Sequence, residues 1–148
     1  MAVAKVLVLD DDQSTADFIA EALGDEGYTV RATYDAGSAL AAIEADQPDV
    51  ILLDLRLPGI DGVDVFRLLH DRGLATVPII LMTADNNALQ ELTIQGVKFI
   101  LFKPFALDTL LNCVDEALHS PQETQEQGVP LLTQADRSNP PQDVHICT

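Results

Sequence analysis

Four short apolar runs each end abruptly on a residue that carries chemistry, and this constrains the fold more than any other feature. Lys5-VLVL-Asp10 stops at three aspartates, Val50-ILL-Asp54 stops at one, Pro78-IILM-Thr83 stops at a hydroxyl, and Phe99-IL-Phe102 stops at Lys103-Pro104. A run apolar on both faces reads as a strand buried on both sides. A fifth strand, Thr29 to Ala32, ends without comparable chemistry. Between the strands lie helical patterns over Ser14–Leu23, Asp35–Glu44, Val63–His70, Asn86–Gln95 and Leu107–His119. Glycines and prolines punctuate them, and Asp108 is a candidate N-cap for the last. Short buried strands alternating with helices predict an α/β fold, a parallel sheet with helices on both faces. Right-handed crossovers make it doubly wound.

The pattern occupies residues 1–119, which predicts one domain. Residues 120–148 are rich in proline, glutamine and acids, and read as a flexible tail or linker. The net charge of −16, from 24 acidic and 8 basic residues, argues against nucleic acid and anionic membranes as partners. The opening apolar run is too short to cross a membrane and lacks a signal-peptide cleavage pattern. Cys113 and Cys147 are far apart and unpatterned, so the expectation is unpaired thiols in a reducing, cytoplasmic setting. Neither is expected in a metal cluster.

In an open parallel sheet, ligands bind beyond the carboxyl ends of the strands. That rule gathers Asp10, Asp11, Asp54, Thr83 and Lys103 at one end. Carboxylates packed without a cation raise one another's pKa, and Mg²⁺ suits two or three carboxylates with open positions. A metal and a lysine neutralise phosphoryl oxygens, and an aspartate can act as the nucleophile. Taken singly, each residue has a plainer reading: Asp12 as a helix cap, Thr83 as a turn hydroxyl, Lys103 as a solvated charge. The joint pattern favours the phosphoryl site.

VLVLDDD, ILLDLRLPGIDG, IILMTA and LFKPF, in that order, closely resemble the receiver domain of bacterial two-component response regulators, in particular single-domain chemotaxis-type receivers. The resemblance covers residues 5 to about 119 and implies a flavodoxin-like fold with strand order 2-1-3-4-5. It implies Asp54 as phosphoacceptor, with Asp10, Asp11, Asp54 and the Arg56 carbonyl around Mg²⁺. Thr83 is then the switch hydroxyl, Lys103 the partner of carboxylate and phosphoryl group, and Lys103-Pro104 a cis bond. The implied donor is a sensor histidine kinase or a histidine phosphotransfer protein, and the implied catalysis is confined to the chain's own phosphorylation and dephosphorylation.

Some positions depart from the family pattern. Ile100 stands where an aromatic residue is common, which predicts an altered output switch, although Ile100 itself reads as a space-filling strand residue. Phe99 and Ile100 together raise the expectation of an exposed apolar patch, and of a homodimer through the face formed by the fourth helix, fifth strand and fifth helix. Phe99 reads equally well as core. The stretch from Ala84 to Gly96 is short, which predicts a short or frayed fourth helix. Arg56 and Asp85 occupy positions that tune water access, and an ion pair between them would slow dephosphorylation. Two other functions stay open at this stage: a phosphorylation-independent receiver-like interaction module, and a small Mg²⁺-dependent aspartyl-phosphate hydrolase. The second lacks the acid such an enzyme carries two residues after its nucleophile, where this chain has Arg56. Kinase, pathway and downstream protein partner are not encoded in any feature of the sequence.

Overall fold

The computed structural model describes residues 3–57, 59–72, 77–85, 97–119 and 145–147, with backbone alone for 60–63. The elements are β1 (Lys5–Leu9), α1 (Gln13–Asp25), β2 (Thr29–Thr33), α2 (Ala36–Ala45), β3 (Val50–Asp54), β4 (Arg56–Leu57), β5 (Ile60–Asp61), α3 (Gly62–Asp71), β6 (Ile79–Thr83), β7 (Phe99–Phe102), α4 (Leu107–His119) and β8 (His145–Cys147). The principal sheet runs β2-β1-β3-β6-β7-β8 and is parallel throughout. Its first five strands have the predicted doubly wound order. The expected helix over Asn86–Gln95, and its expected shortness, lie outside the described residues.

Strand periodicity divides the core into two layers. Val6, Val8, Val50, Leu52, Ile80, Met82, Phe99 and Leu101 face one way, against Ala16, Ile19 and Leu23 of α1 and Leu110, Cys113, Val114 and Ala117 of α4. Leu7, Leu9, Ile51, Leu53, Ile79, Leu81 and Ile100 face the other way, against Ala39, Ala42 and Ile43 of α2 and Val65, Phe66 and Leu69 of α3. Every residue of β3 and β6 is buried, as expected for strands covered on both faces.

Local signals set the helix starts. The Asp12 carboxylate accepts from the Ser14 amide and caps α1, and Asp35 does the same for α2 through Ser38. Asp108 differs from its predicted role: it sits inside the first turn of α4 and does not precede it. There its charge still suits the positive end of the helix. β4 and β5 form a small antiparallel pair just after β3. Gly59 turns between them at φ +79°, a backbone region that side chains with a Cβ rarely adopt.

Three further findings depart from the sequence reading. Residues 145–147, within the expected tail, form β8 and pair with β7, placing Phe99 opposite His145, Ile100 opposite Ile146 and Leu101 opposite Cys147. The cysteines are not free: Cys113 of α4 and Cys147 of β8 form a disulfide, with Cα atoms 5.5 Å apart and a sequence separation of 34. Proximity in sequence gave no hint, because the sheet edge brings them together. Finally, Phe99 and Ile100 make no exposed patch. Phe99 is covered by α4 and by an edge-on contact with His145 at 5.8 Å, and Ile100 is fully buried on the α2–α3 side.

Candidate functional site

The carboxyl ends of β1, β3, β6 and β7 converge, as their register requires. Asp54 pairs in register with Met82, and Thr83 with Phe102. The last residues of β3 and β6, Asp54 and Thr83, and the residues just after β1 and β7, Asp10 and Lys103, are therefore delivered to one rim. Asp10 is fully buried there, with Asp54 and Thr83 nearly so, while Asp11 is exposed. The rim opens into a cavity of about 610 Å³ lined by Asp10, Asp11, Asp12, Asp54, Arg56, Ala84, Asp85 and Lys103.

Lys103 Nζ lies 2.8 Å from Asp10 Oδ2 and 3.5 Å from Asp54 Oδ1. Its own backbone N–H donates to the Thr83 carbonyl at 2.8 Å, which fixes the loop after β7 against β6. The Lys103–Pro104 bond is cis, as the resemblance implied. Asp10 also accepts from the Asp12 amide at 2.9 Å, and Asp54 from the Arg56 amide at 3.3 Å. The Thr83 hydroxyl accepts from the Asp85 amide at 2.9 Å. Arg56 Nη2 and Asp85 Oδ2 approach to 3.2 Å across the mouth of the cavity. The sequence-predicted residues Asp10, Asp11, Asp54, Arg56, Thr83, Asp85 and Lys103 thus share one site. Phe99 and Ile100 do not reach it; they lie inside the strand that carries Lys103.

The charges are unbalanced. Burial and the neighbouring Asp10 push Asp54 up to about 6, against the pull of Lys103 and the Arg56 amide. Burial opposes the Lys103 ammonium, but its hydrogen bond to Asp10 and the charges of Asp54 and Asp10 outweigh that and hold it above its usual value. One ammonium therefore faces three carboxylates. Asp10, Asp11 and Asp54 each place an oxygen within 4.8 Å of the others, a cluster compatible with a metal ion. All-oxygen ligation favours a hard divalent cation such as Mg²⁺.

Sequence reasoning missed a second group, in which Glu116, His145 and Cys147 bring side-chain ligand atoms within 4.8 Å of one another. Cys147 is engaged there by the disulfide, and His145 Nε2 lies 2.6 Å from Glu116 Oε1. The available signal was weak: a three-residue alternation, His145-Ile-Cys147, after a polar stretch.

A doubly wound sheet with an acid cluster and a lysine at its carboxyl rim defines a receiver-like phosphoryl site. Residues 6–115 match the response regulator receiver domain, and the chain belongs to that family. It is 36% identical over 109 residues to the response regulator MprA of Mycobacterium ulcerans, a match covering 72% of this chain and 47% of that protein. The chain thus spans about half the length of that curated relative. Among solved structures, the chemotaxis response regulator CheY4 of Vibrio cholerae superposes with a TM-score of 0.74 at 30% identity, covering 79% of this chain and all of that one. The receiver domain of NtrX from Brucella abortus gives 0.72 at 30% identity, covering 78% and 98%. Among the described residues, no helix is long and apolar enough to cross a membrane.

Proposed function

We propose that this chain is the phosphoacceptor of a two-component phosphorelay, taking a phosphoryl group from a phosphohistidine onto Asp54. The observation that carries the reading is the convergence of Asp10 and Asp54 within 3.5 Å of the Lys103 ammonium. An Asp54 carboxylate oxygen attacks phosphorus in line; the N–P bond of the phosphohistidine breaks as the O–P bond forms, and the imidazole takes up a proton. Lys103 neutralises the phosphoryl oxygens, and the Thr83 hydroxyl would donate to one of them on turning toward the site. Asp10, Asp11, Asp54 and the Arg56 carbonyl would hold Mg²⁺, which when bound neutralises charge on the transferring group. Water later hydrolyses the acyl phosphate, so the chemistry is confined to the chain itself.

The partners that fit are a sensor histidine kinase or a histidine phosphotransfer protein, in the cytoplasm, and a downstream protein that reads the phosphorylated state. A homodimer through the face that includes β7 and α4 belongs to the same reading. The hydrolase alternative is disfavoured by Arg56: its amide contacts Asp54 while its guanidinium pairs with Asp85, so no acid stands there.

Incubation with Mg²⁺ and a small phosphodonor such as phosphoramidate, followed by intact mass, tests the proposal. One phosphoryl adduct of about 80 Da, lost in D54A and suppressed by chelator, is expected. Absence of an adduct with several donors would leave a phosphorylation-independent interaction module. Rapid turnover of an added phosphate ester would instead support a hydrolase.

A further inference from the structure

The disulfide joins the only described part of the C-terminal region to the sheet, and the interactions around it form a latch. β8 has three residues, of which His145 and Ile146 are exposed. It covers the outer edge of β7, where the His145 amide donates to the Lys98 carbonyl at 2.7 Å. The His145 ring meets Phe99 edge-on and pairs with Glu116 of α4. A three-residue edge strand has little stability of its own, and the Cys113–Cys147 bond adds a covalent tether to these few contacts. The packing around Cys113 suits a thiol as well as a disulfide sulfur. Cys113 is fully buried among Leu101, Leu110, Val114 and Ala117, and a reduced thiol packs there as a small hydrophobe. On this packing, loss of the bond is expected to release β8 and to leave the two core layers folded.

We propose that Cys113–Cys147 is a reversible thiol–disulfide modification site, with a dithiol protein as reductant, that fastens and releases the His145–Cys147 strand on the β7 edge. A thiolate of the reductant attacks the Cys147 sulfur, the more accessible of the two, and the S–S bond breaks to leave Cys113 as a thiolate that takes up a proton. The second thiol of the reductant then resolves the mixed disulfide. Cys147 is released as a thiol, and the two electrons come from the reductant, which ends as a disulfide. Reoxidation by a disulfide partner is the reverse. The released edge exposes the backbone of Lys98–Phe102, the strand that delivers Lys103 to the site.

The 148-residue chain, equilibrated against glutathione buffers from reduced to oxidised and against dithiothreitol, provides the test. Alkylation with iodoacetamide and intact mass should show no labelled cysteine at the oxidised end, two at the reduced end, and full reversal between them. Hydrogen exchange over Lys98–Phe102 should accelerate at least about tenfold on reduction, as expected when a tether on a weak strand is cut. C147S should show the fast exchange under all conditions while keeping its far-UV circular dichroism, and C113A provides a second check. Failure to form the bond at any ratio, or a bond that dithiothreitol does not open in the folded protein, would overturn the proposal. So would exchange over Lys98–Phe102 that is indifferent to redox state. None of these readouts uses phosphorylation, so failure here leaves the role of Asp54 untouched.

Discussion

Asp54 is the residue whose surroundings conflict most with its charge. It is buried beside Asp10, and its carboxyl is raised from 3.8 to about 6. Between those values the folded protein holds a proton that the unfolded chain has lost. The stabilisation from that proton is complete below about pH 4 and disappears as pH rises through about 6. D54N removes the charge and keeps the shape. Without divalent cations it should therefore be more stable than the parent at pH 8, by about 1–3 kcal/mol. The advantage should shrink toward pH 5; urea denaturation at the two pH values measures it, and a D54N protein no more stable at pH 8 would refute the electrostatic account. The Arg56–Asp85 pair lies at the opposite extreme. The Arg56 side chain is 72% exposed, so the pair contributes only about 0–1 kcal/mol to folding. Its position over the cavity mouth matters more. If it screens the acyl phosphate from water, R56A and D85A should each shorten the phosphoryl half-life about two- to tenfold, read by intact mass after removal of the phosphodonor. Unchanged half-lives in both variants would dismiss the screening role.

At the scale of elements, what could be read from the sequence depended on whether the cause was local. β1, β3, β6 and β7 were legible because a strand buried on both faces needs an unbroken apolar run, and each run ends where the chain leaves the sheet. The same break made Asp10, Asp54, Thr83 and Lys103 recognisable as a set. Helix caps were only partly legible: Asp12 caps α1, yet Asp108, an equally suitable residue type, lies one position inside α4. FILF was ambiguous because alternate residues of a doubly covered strand all look apolar, and only the packing shows Phe99 against α4 and Ile100 against α2 and α3. β8 was illegible because three residues carry no reliable period, and its pairing is with a strand more than forty residues away in sequence. The energetics follow the same division. L52A, in the centre of β3 with no exposed surface, should cost about 2–5 kcal/mol. D35A removes only the cap of α2 and should cost about 1 kcal/mol. Equal losses in chemical denaturation would contradict a fold held chiefly by its two core layers.

For the molecule as a whole, the disulfide makes stability and tail docking separable quantities. A bond closing a loop of 34 residues is worth about 4 kcal/mol through the unfolded chain's lost entropy. That full amount appears on reduction only if β8 stays docked in the reduced folded protein. If β8 lifts, the reduced folded state also regains conformational freedom for the C-terminal segment, and this offsets part of the loss. Release should therefore leave a fall in global stability of about 2 kcal/mol or less on reduction, alongside a large loss of protection at the β7 edge. Paired urea curves with and without dithiothreitol measure the first quantity, and hydrogen exchange measures the second. A fall near the full 4 kcal/mol with the edge still protected would mean that β8 remains an ordinary strand of the sheet after reduction. The two readings differ both in whether the edge loses protection and in the size of the stability change, so the outcome discriminates between a permanent sixth strand and a latch that opens while the receiver domain beneath it stays folded.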